Sequence, residues 1–254
     1  NEIGQVDFKQ IFSYLIMQSI CGIIAFLITS KYFKRSIPES IIWALTVALS
    51  NHVTLLLPIT EIYFQQNVIT QVASIILMDG IILLSIIAFF LELSTKQNVN
   101  LFNFIKNLFL NPFILSIIIG LLFLLLNFNI DQTPIEYTLS KLAACVSPVG
   151  LFAIGITLSF YTKNVINKLS VSISVLKLVI SPIILLLIGL VFFNAGLPAE
   201  IPGAFFVSVA PCGVTSIVLC AAYNVSPENI IKAIFVSTIA SIGTIFFAIK
   251  YLTL

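Results

Sequence analysis

The 254-residue chain is 59% hydrophobic and only 9% charged, whereas soluble domains carry about 25% charged residues. So few charged side chains cannot cover a water-facing surface, which excludes a soluble globular domain and indicates an integral membrane protein. The net charge of +2 gives no support for a nucleic-acid partner, and a single histidine excludes a metalloprotease site with two histidine ligands. Four cysteines lack metal-ligand spacing and are interpreted as packing residues rather than disulfides: Cys21, Cys145, Cys212 and Cys220.

Eight apolar segments are each long enough to cross a bilayer as an α-helix, which takes about 20 residues. Runs such as NPFILSIIIGLLFLLL do not alternate between polar and apolar residues, as β-barrel strands do. The predicted fold is therefore an all-α integral membrane protein with eight transmembrane helices. In chain order the predicted spans are 10–30, 39–64, 68–93, 111–129, 135–161, 171–194, 201–223 and 228–253.

Positive charge alternates between the loops and predicts the orientation. The loops after the first, third and fifth spans carry the basic residues Lys31, Lys34, Arg35, Lys96, Lys106, Lys163 and Lys168. The intervening loops EIYFQQN, NFNIDQTPIE and NAGLPAE contain neither lysine nor arginine. The positive-inside rule places the basic loops in the cytoplasm, so we expect a multi-pass protein of the cell (inner) membrane with both ends of the sequence outside.

The longest connector, 94–110, separates two halves of the chain. Its apolar residues Phe102, Ile105, Leu108 and Phe109 share one face at helical spacing, which predicts an interfacial amphipathic helix on the cytoplasmic side. The predicted organisation is therefore an incomplete first repeat of three spans over 1–93, this connector, and a second inverted repeat of five spans over 111–254.

A shift of 164 residues superimposes spans one, two and three on spans six, seven and eight and aligns Asn51 with Thr215. An offset of five spans reverses the direction through the membrane, which is typical of the inverted repeats of secondary transporters. The first half of the chain has three predicted spans and the second half has five. A complete 5+5 protein would therefore have two further helices before residue 1. A natural eight-span variant and a chance overlap of hydropathy remain alternatives.

Corresponding spans two and seven are both interrupted near their centres by proline and polar residues. In a bilayer such breaks persist only where they are buried in protein or face a wet cavity, and paired breaks are typical of a transport site. Half-helix ends with free N–H groups suit an anion, and those with free carbonyls suit a cation or a hydroxyl donor. A single proline would be either a structural kink or a functional break. The predicted substrate-binding residues are Asn51, His52, Thr54, Pro58, Pro211, Cys212, Thr215 and Ser216.

Two charged residues within the spans are predicted to take part in ion coupling. Asp79 lies at the centre of span three, where an unpaired carboxylate is costly, and it either carries a proton, binds Na⁺ or makes a structural hydrogen bond. Lys177 lies about one turn into span six, from which it either extends to the cytoplasmic surface or pairs with Asp79. His52 either changes charge near neutral pH or only caps the broken helix.

The order of these motifs resembles the auxin efflux carrier family of membrane transporters over the whole sequence. SNHVTLLLP (50–58) is similar to the family's PNSGFLGLP and keeps Asn51 and Pro58. The later family motifs correspond to NPFILSIIIGLL (111–122), SPVGLFAIGITLSF (147–160), LKLVISPII (176–184) and PCGVTSIVLCA (211–221). The resemblance implies ten helices with two crossed broken helices, elevator-like movement, and organic anions bound at the crossover.

This chain departs from the family pattern at the crossover itself. Ser50 replaces a proline, Val53 and Leu56 replace glycines, and Thr215 replaces an asparagine. The leading function is a secondary active transporter of a small organic anion such as a carboxylate, coupled to H⁺ or Na⁺, without a cofactor and without enzymatic activity. The alternatives are an intramembrane enzyme, for which no catalytic motif is visible, and a non-transporting sensor or degenerate paralogue. The expected partners are the anion, the coupling ion and the lipid bilayer, and a homodimer stays open.

Overall fold

The computed structural model describes residues 8–95, 101–110, 112–126, 128, 130–161, 164–194 and 197–253. Over these residues the regular secondary structure is helical, which confirms the all-α class. The α-helices are α1 (Phe8–Leu27), α2 (Ile37–Ala48), α3 (Leu57–Tyr63), α4 (Gln66–Met78), α5 (Leu84–Thr95), α6 (Leu101–Phe109), α7 (Pro112–Leu125), α8 (Pro134–Ser159), α9 (Lys168–Val175), α10 (Ser181–Phe193), α11 (Pro202–Ser208), α12 (Thr215–Ala222) and α13 (Glu228–Leu252).

Single wide turns of π-helix join several of these helices into longer rods. They cover Ile28–Tyr32 after α1, His52–Leu56 before α3, Asp79–Leu83 between α4 and α5, and Leu176–Ile180 between α9 and α10. The last has a local cause, because Pro182 has no N–H to donate and crowds the preceding turn. Ser181 lies beside this break, and its Oγ donates to the Leu176 carbonyl at 3.0 Å.

Five helical rods within the described residues are long and apolar enough to cross a membrane: 8–32, 66–95, 134–159, 168–193 and 228–252. The other three predicted spans, 39–64, 111–129 and 201–223, contain shorter helices. The molecule is therefore a multi-pass helical protein, while the count of eight spans and the inverted repeat stay predictions. Within the connector a helix covers Leu101–Phe109, and residues 96–100 lie outside the described part of the chain.

Side-chain caps fix where several helices begin. The Ser36 hydroxyl accepts from the Glu39 amide at the start of α2, and Asn167 and Ser170 cap each other's backbone amides at the start of α9. Such caps satisfy amides that have no carbonyl partner in the first turn. Helices α2 and α9 therefore start at residues dictated by the local sequence.

The interior is built around α1, which packs against α2, α10 and α11. Helix α13 packs on α9, and α11 packs on α4, so the two interrupted segments lie inside the bundle. Trp43 on α2 and Phe206 on α11 are completely buried at this centre. Outward faces carry large apolar side chains such as Phe247 and Val191, as expected of a surface that contacts lipid.

The packing prediction for the cysteines is correct at three positions and wrong at one. Cys21, Cys212 and Cys220 are buried and free, whereas Cys145 is exposed on α8. Helix α8 has no buried residue along its length, so an apolar position there does not become an interior position. Hydropathy alone does not separate a surface that faces lipid from one that faces protein.

Candidate functional site

The two interrupted helical segments meet each other in the interior. After α2 ends, Ser50 forms an isolated antiparallel β-bridge with Cys212, which lies between α11 and α12. The Asn51 amide donates to the Pro211 carbonyl at 2.9 Å, and the Gly213 amide donates to the Thr46 carbonyl at 3.2 Å. Backbone groups released from one helix therefore find partners in the other, as a water-free interior requires. We call residues 49–56 and 209–216 together the crossover.

At two places near the crossover, prolines remove the amide that would bond the carbonyl four residues earlier, and serines from other elements donate to both carbonyls. Pro211 has no N–H for the Val207 carbonyl four residues earlier, and Ser50 Oγ donates to that carbonyl at 2.9 Å. The Val207 carbonyl also accepts from the Ala210 amide at 3.2 Å. Pro58, in the first turn of α3, leaves the Thr54 carbonyl in the same condition. Ser147 on α8 donates to it at 2.6 Å. The two prolines thus specify both the breaks and the contacts around them.

Close approach of the two backbones depends on Gly213. A β-carbon at this position would lie 2.8 Å from the Leu49 carbonyl oxygen and 2.9 Å from Leu49 Cβ. Real β-carbons do not approach backbone atoms so closely, so only glycine fits without movement of the crossing segment.

Two helices begin at the crossover without a side-chain cap. One is the helical segment that starts at His52 and continues into α3, and the other is α12, which starts at Thr215. By contrast, the first amides of α11 donate to glutamine oxygens: Gly203 to Gln71 at 3.1 Å and Ala204 to Gln10 at 3.2 Å. First-turn amides carry partial positive charge, so the uncapped starts favour a negatively charged group.

The structure brings the predicted binding residues of spans two and seven into this one region. Asn51, His52, Thr54, Pro211, Cys212 and Ser216 are buried there, while Pro58 and Thr215 are partly buried. Some of their polar atoms are already used locally. Thr54 Oγ1 donates to Asn51 Oδ1, and Ser216 Oγ donates to the Gly213 carbonyl at 2.8 Å. The Cys212 amide donates to Ser237 Oγ on α13 at 3.2 Å.

Three buried polar atoms at this place have no hydrogen-bond partner among the described residues: Asn51 Nδ2, His52 Nδ1 and Asp79 Oδ1. Leaving such an atom unsatisfied costs about 1–3 kcal/mol, so their concentration needs an explanation. Asn51 Nδ2 is a donor, because Thr54 uses the amide oxygen. Asn51 Nδ2 and the helix starts therefore offer donors to a ligand that accepts hydrogen bonds, whereas Asp79 Oδ1 is an acceptor.

Asp79 contacts the crossover directly. Its Oδ2 lies 3.0 Å from His52 Nε2 and 3.5 Å from the Tyr14 hydroxyl, and all three side chains are buried. Asp79 begins the wide turn between α4 and α5, and Tyr14 belongs to α1. The carboxylate in the apolar interior thus has an imidazole and a phenol as neighbours, which lowers the cost of burying it.

Lys177 is not at the surface, which corrects the prediction that it extends to the cytoplasmic face. It is 0% exposed, and its Nζ donates to Ser50 Oγ at 2.8 Å. Among the described residues, Lys177 and Asp79 do not form a direct ion pair. Ser50 Oγ lies 3.3 Å from the Tyr14 hydroxyl, so two hydroxyls stand between the two charged groups.

Tyr14 and Ser50 were missed in the sequence. A usable signal was present, because the buried polar residues Gln10, Ser13, Tyr14 and Gln18 recur at helical spacing along an otherwise apolar α1. Ser50 sits beside the Asn51–His52 pair but was noted only as a departure from a family pattern. The described residues contain no group of three or more histidine, cysteine and acidic side chains that could hold a metal ion.

A comparison with protein families gives one result. The family described as membrane transport protein matches residues 5–249, which is nearly the whole chain. No curated protein matches the sequence. The matched region covers the α-helices of the described residues, apart from the last few residues of α13.

Proposed function

The chain belongs to the membrane transport protein family, and from this premise we propose that it is a secondary active transporter of a small organic anion such as a carboxylate. The anion binds at the crossover and passes through the cytoplasmic membrane by alternating access. Asn51, His52, Thr54, Pro58, Pro211, Cys212, Thr215 and Ser216 are the proposed binding residues. Asp79 and Lys177 are the proposed ion-coupling residues, with H⁺ or Na⁺ as the coupling ion.

One observation carries this proposal: an unpartnered amide donor and two uncapped helix starts lie at a single buried place. Asn51 Nδ2 has no partner among the described residues, and the helices that begin at His52 and Thr215 lack side-chain caps. An anion accepts hydrogen bonds and is favoured at helix N-termini, so it would satisfy all of these groups at once.

Formal charges near the crossover agree with an anionic substrate. Asp79 and Lys177 carry opposite charges with only the hydroxyls of Ser50 and Tyr14 between them, so they offset one another. A carboxylate entering the crossover therefore meets donors rather than a net negative charge. The amide of Asn51 and the helix ends decide the affinity, since a hydrogen bond to a charged group contributes about 1.5–3 kcal/mol.

Alternating access is supported by the way the chain is organised around the crossover. Each interrupted segment follows one long rod and precedes another: 8–32 and 66–95 flank the first, and 168–193 and 228–252 flank the second. This correspondence suits two inverted repeats that move against each other. The alternation of basic loops in the sequence supports a cytoplasmic position for 31–35, 94–110 and 163–168.

Uptake into proteoliposomes tests the proposal. Purified protein is reconstituted and offered radiolabelled malonate, malate, succinate and lactate under imposed H⁺ and Na⁺ gradients. Asn51→Ala should raise the KM of the transported acid about tenfold or more, because it removes a donor to a charged oxygen. Asn67→Ala is the matched control, since Asn67 is exposed and its side-chain oxygen only accepts from the Val68 amide.

Two results would contradict the proposal. Equal KM values for Asn51→Ala and the wild type would remove the crossover amide from the binding site. Absence of uptake and counterflow for every acid, by protein that unfolds cooperatively on heating, would favour a sensor or a degenerate paralogue.

A further inference from the structure

His52 is the only histidine of the chain, and its two ring nitrogens have different surroundings. Nε2 lies 3.0 Å from Asp79 Oδ2. Nδ1 is buried and has no hydrogen-bond partner among the described residues. One ring nitrogen therefore has a partner, and the other is buried without one.

The position of the ring proton follows from the chemistry of the partner. When Asp79 is ionised, its carboxylate only accepts hydrogen bonds, so Nε2 carries the proton that joins His52 to Asp79. In the neutral imidazole the other nitrogen then holds a lone pair. Nδ1 is thus an unoccupied proton acceptor inside the protein.

We propose that His52 Nδ1 takes up the coupling proton and presents it as a hydrogen-bond donor to the carboxylate of the transported anion. This inference rests on the proposed function and makes its coupling ion H⁺ rather than Na⁺. On the side where the anion enters, a hydronium ion gives up its proton, so that one O–H bond breaks as the Nδ1–H bond forms. On the other side the Nδ1–H bond breaks and the proton returns to a water molecule. No other bond is made or broken.

In this scheme Asp79 is a positioning residue and not the proton carrier. Its Oδ2 holds the Nε2–H tautomer, and the Tyr14 hydroxyl, 3.5 Å from the same oxygen, holds the carboxylate in place. The hydroxyl of Tyr14 has a single proton and a second neighbour, Ser50 Oγ, at 3.3 Å. Because Ser50 donates its own proton to the Val207 carbonyl, the Tyr14 proton bonds either Asp79 or Ser50 at one time.

Three buried titratable side chains lie around the His52–Asp79 pair. Tyr14 approaches from α1, Lys177 from the wide turn after α9, and Cys212 from the other half of the crossover. On α8, which packs on residues 52–56, the titratable residues are exposed: Glu136, Tyr137, Lys141 and Cys145. Helix α7, which packs on residues 79–83, has no titratable residue in its sequence.

These charges link the proton to the anion. Asp79 and Lys177 offset each other, so a neutral His52 leaves the site without net charge and an imidazolium adds one positive charge. A carboxylate then binds better to the protonated site, and by reciprocity the bound carboxylate favours protonation by the same factor. Symport of a proton with the anion follows from this mutual preference.

NMR of protein labelled with ¹⁵N-histidine tests the assignment without interference, because the chain contributes one imidazole. In alkaline buffer the proposal requires the neutral Nε2–H tautomer, and an Nδ1–H signal should appear as the buffer is made acidic. At a fixed intermediate pH, saturating malonate should raise the ratio of protonated to neutral His52 about tenfold. An Nδ1–H tautomer in alkaline buffer, or an imidazole that never protonates in acidic buffer, would overturn the inference.

Variants of Asp79 and Tyr14 distinguish residues that position the His52 ring from residues that only stabilise the fold. Asp79→Asn should give a mixture of both tautomers, because an amide can accept from or donate to Nε2. Tyr14→Phe should keep the tautomer but broaden the ring signals, since the carboxylate loses one of its two restraints. Tyr32→Phe is the matched control, because Tyr32 is 73% exposed. Wild-type spectra for Asp79→Asn would remove Asp79 from its positioning role.

Transport measurements distinguish failure of this inference from failure of the proposed function. Wild-type uptake should strengthen as the pH on the entry side falls, and His52→Gln should abolish that dependence while some uptake remains. Uptake that follows a Na⁺ gradient and ignores pH would overturn the proton assignment and leave the transporter intact. A correct tautomer in a protein that moves no acid would contradict the proposed function instead.

Discussion

Replacing Gly213 by alanine adds a methyl group where two backbones cross. The new β-carbon would lie 2.8 Å from the Leu49 carbonyl oxygen and 2.9 Å from both Leu49 Cβ and Leu49 Cγ. Because a backbone oxygen cannot rotate away as a flexible side chain can, relief requires a shift of the Leu49 segment. That shift would strain the Gly213–Thr46 hydrogen bond, which is 3.2 Å long in the native structure.

Overpacking of this kind destabilises proteins by about 1–3 kcal/mol. For a chain of this size each kcal/mol corresponds to about 2–4 °C, so Gly213→Ala should lower the Tm by about 4–8 °C for a mid-range loss. Thermal unfolding in detergent can be followed by the fluorescence of Trp43, the only tryptophan, which is completely buried on α2. The same protein should show weaker uptake.

Gly243→Ala is the matched control for Gly213→Ala. Gly243 lies within α13, and a β-carbon there meets nothing within 4 Å. A glycine in a helix costs about 0.5–1 kcal/mol relative to alanine, so this variant should be as stable as the wild type or more stable. A Gly213→Ala protein with wild-type Tm and uptake would refute the close approach of the two backbones.

Three further predictions concern the polar contacts of the bundle. Lys177→Met should destabilise the protein by about 1.5–3 kcal/mol and reduce anion uptake. Adding Asp79→Asn should restore part of the lost stability, because both charges are then absent. Equal losses of stability in the single and double variants would refute the coupling of the two residues. Gln71→Ala should cost about 1–3 kcal/mol because the Gly203 amide loses its partner, whereas Gln66→Ala, exposed on the same helix, should be neutral in thermal unfolding. Ser147→Ala should cost about 1 kcal/mol by leaving the Thr54 carbonyl unsatisfied, while Ser140→Ala on the exposed part of α8 should leave the Tm unchanged.

Much of the helical layout was predictable because hydropathy and proline act locally. The predicted spans 10–30 and 228–253 correspond to helical rods at 8–32 and 228–252. The breaks near Pro58 and Pro211 were also expected, since proline removes a donor wherever it stands in a helix. The wide turns were not predicted, because their extra residue leaves no mark in the hydropathy pattern.

The contacts of the site were harder to predict because they join distant parts of the chain. Ser50 lies 127 residues from Lys177 and 157 from Val207, and neither pairing has a periodic signal. Lys177 was judged by its distance from the end of a span, but its burial depends on the helices around it. Tertiary packing decides whether Ser50 or Asn51 contacts the Lys177 ammonium group. A single sequence does not reveal that packing.

The most direct test of the account asks whether the two interrupted segments touch. Ser50→Cys is combined with the native Cys212 in a chain whose other cysteines are replaced by alanine, and a protease site is inserted in the connector 94–110. Bridge partners of this type have Cα atoms about 4.5–5.5 Å apart, within the range for a disulfide. After mild oxidation and cleavage, the account predicts that both halves stay together until reductant is added. The same variant with Cys220 in place of Cys212 is the control, and separation of the Ser50→Cys–Cys212 halves without reductant would contradict the crossover.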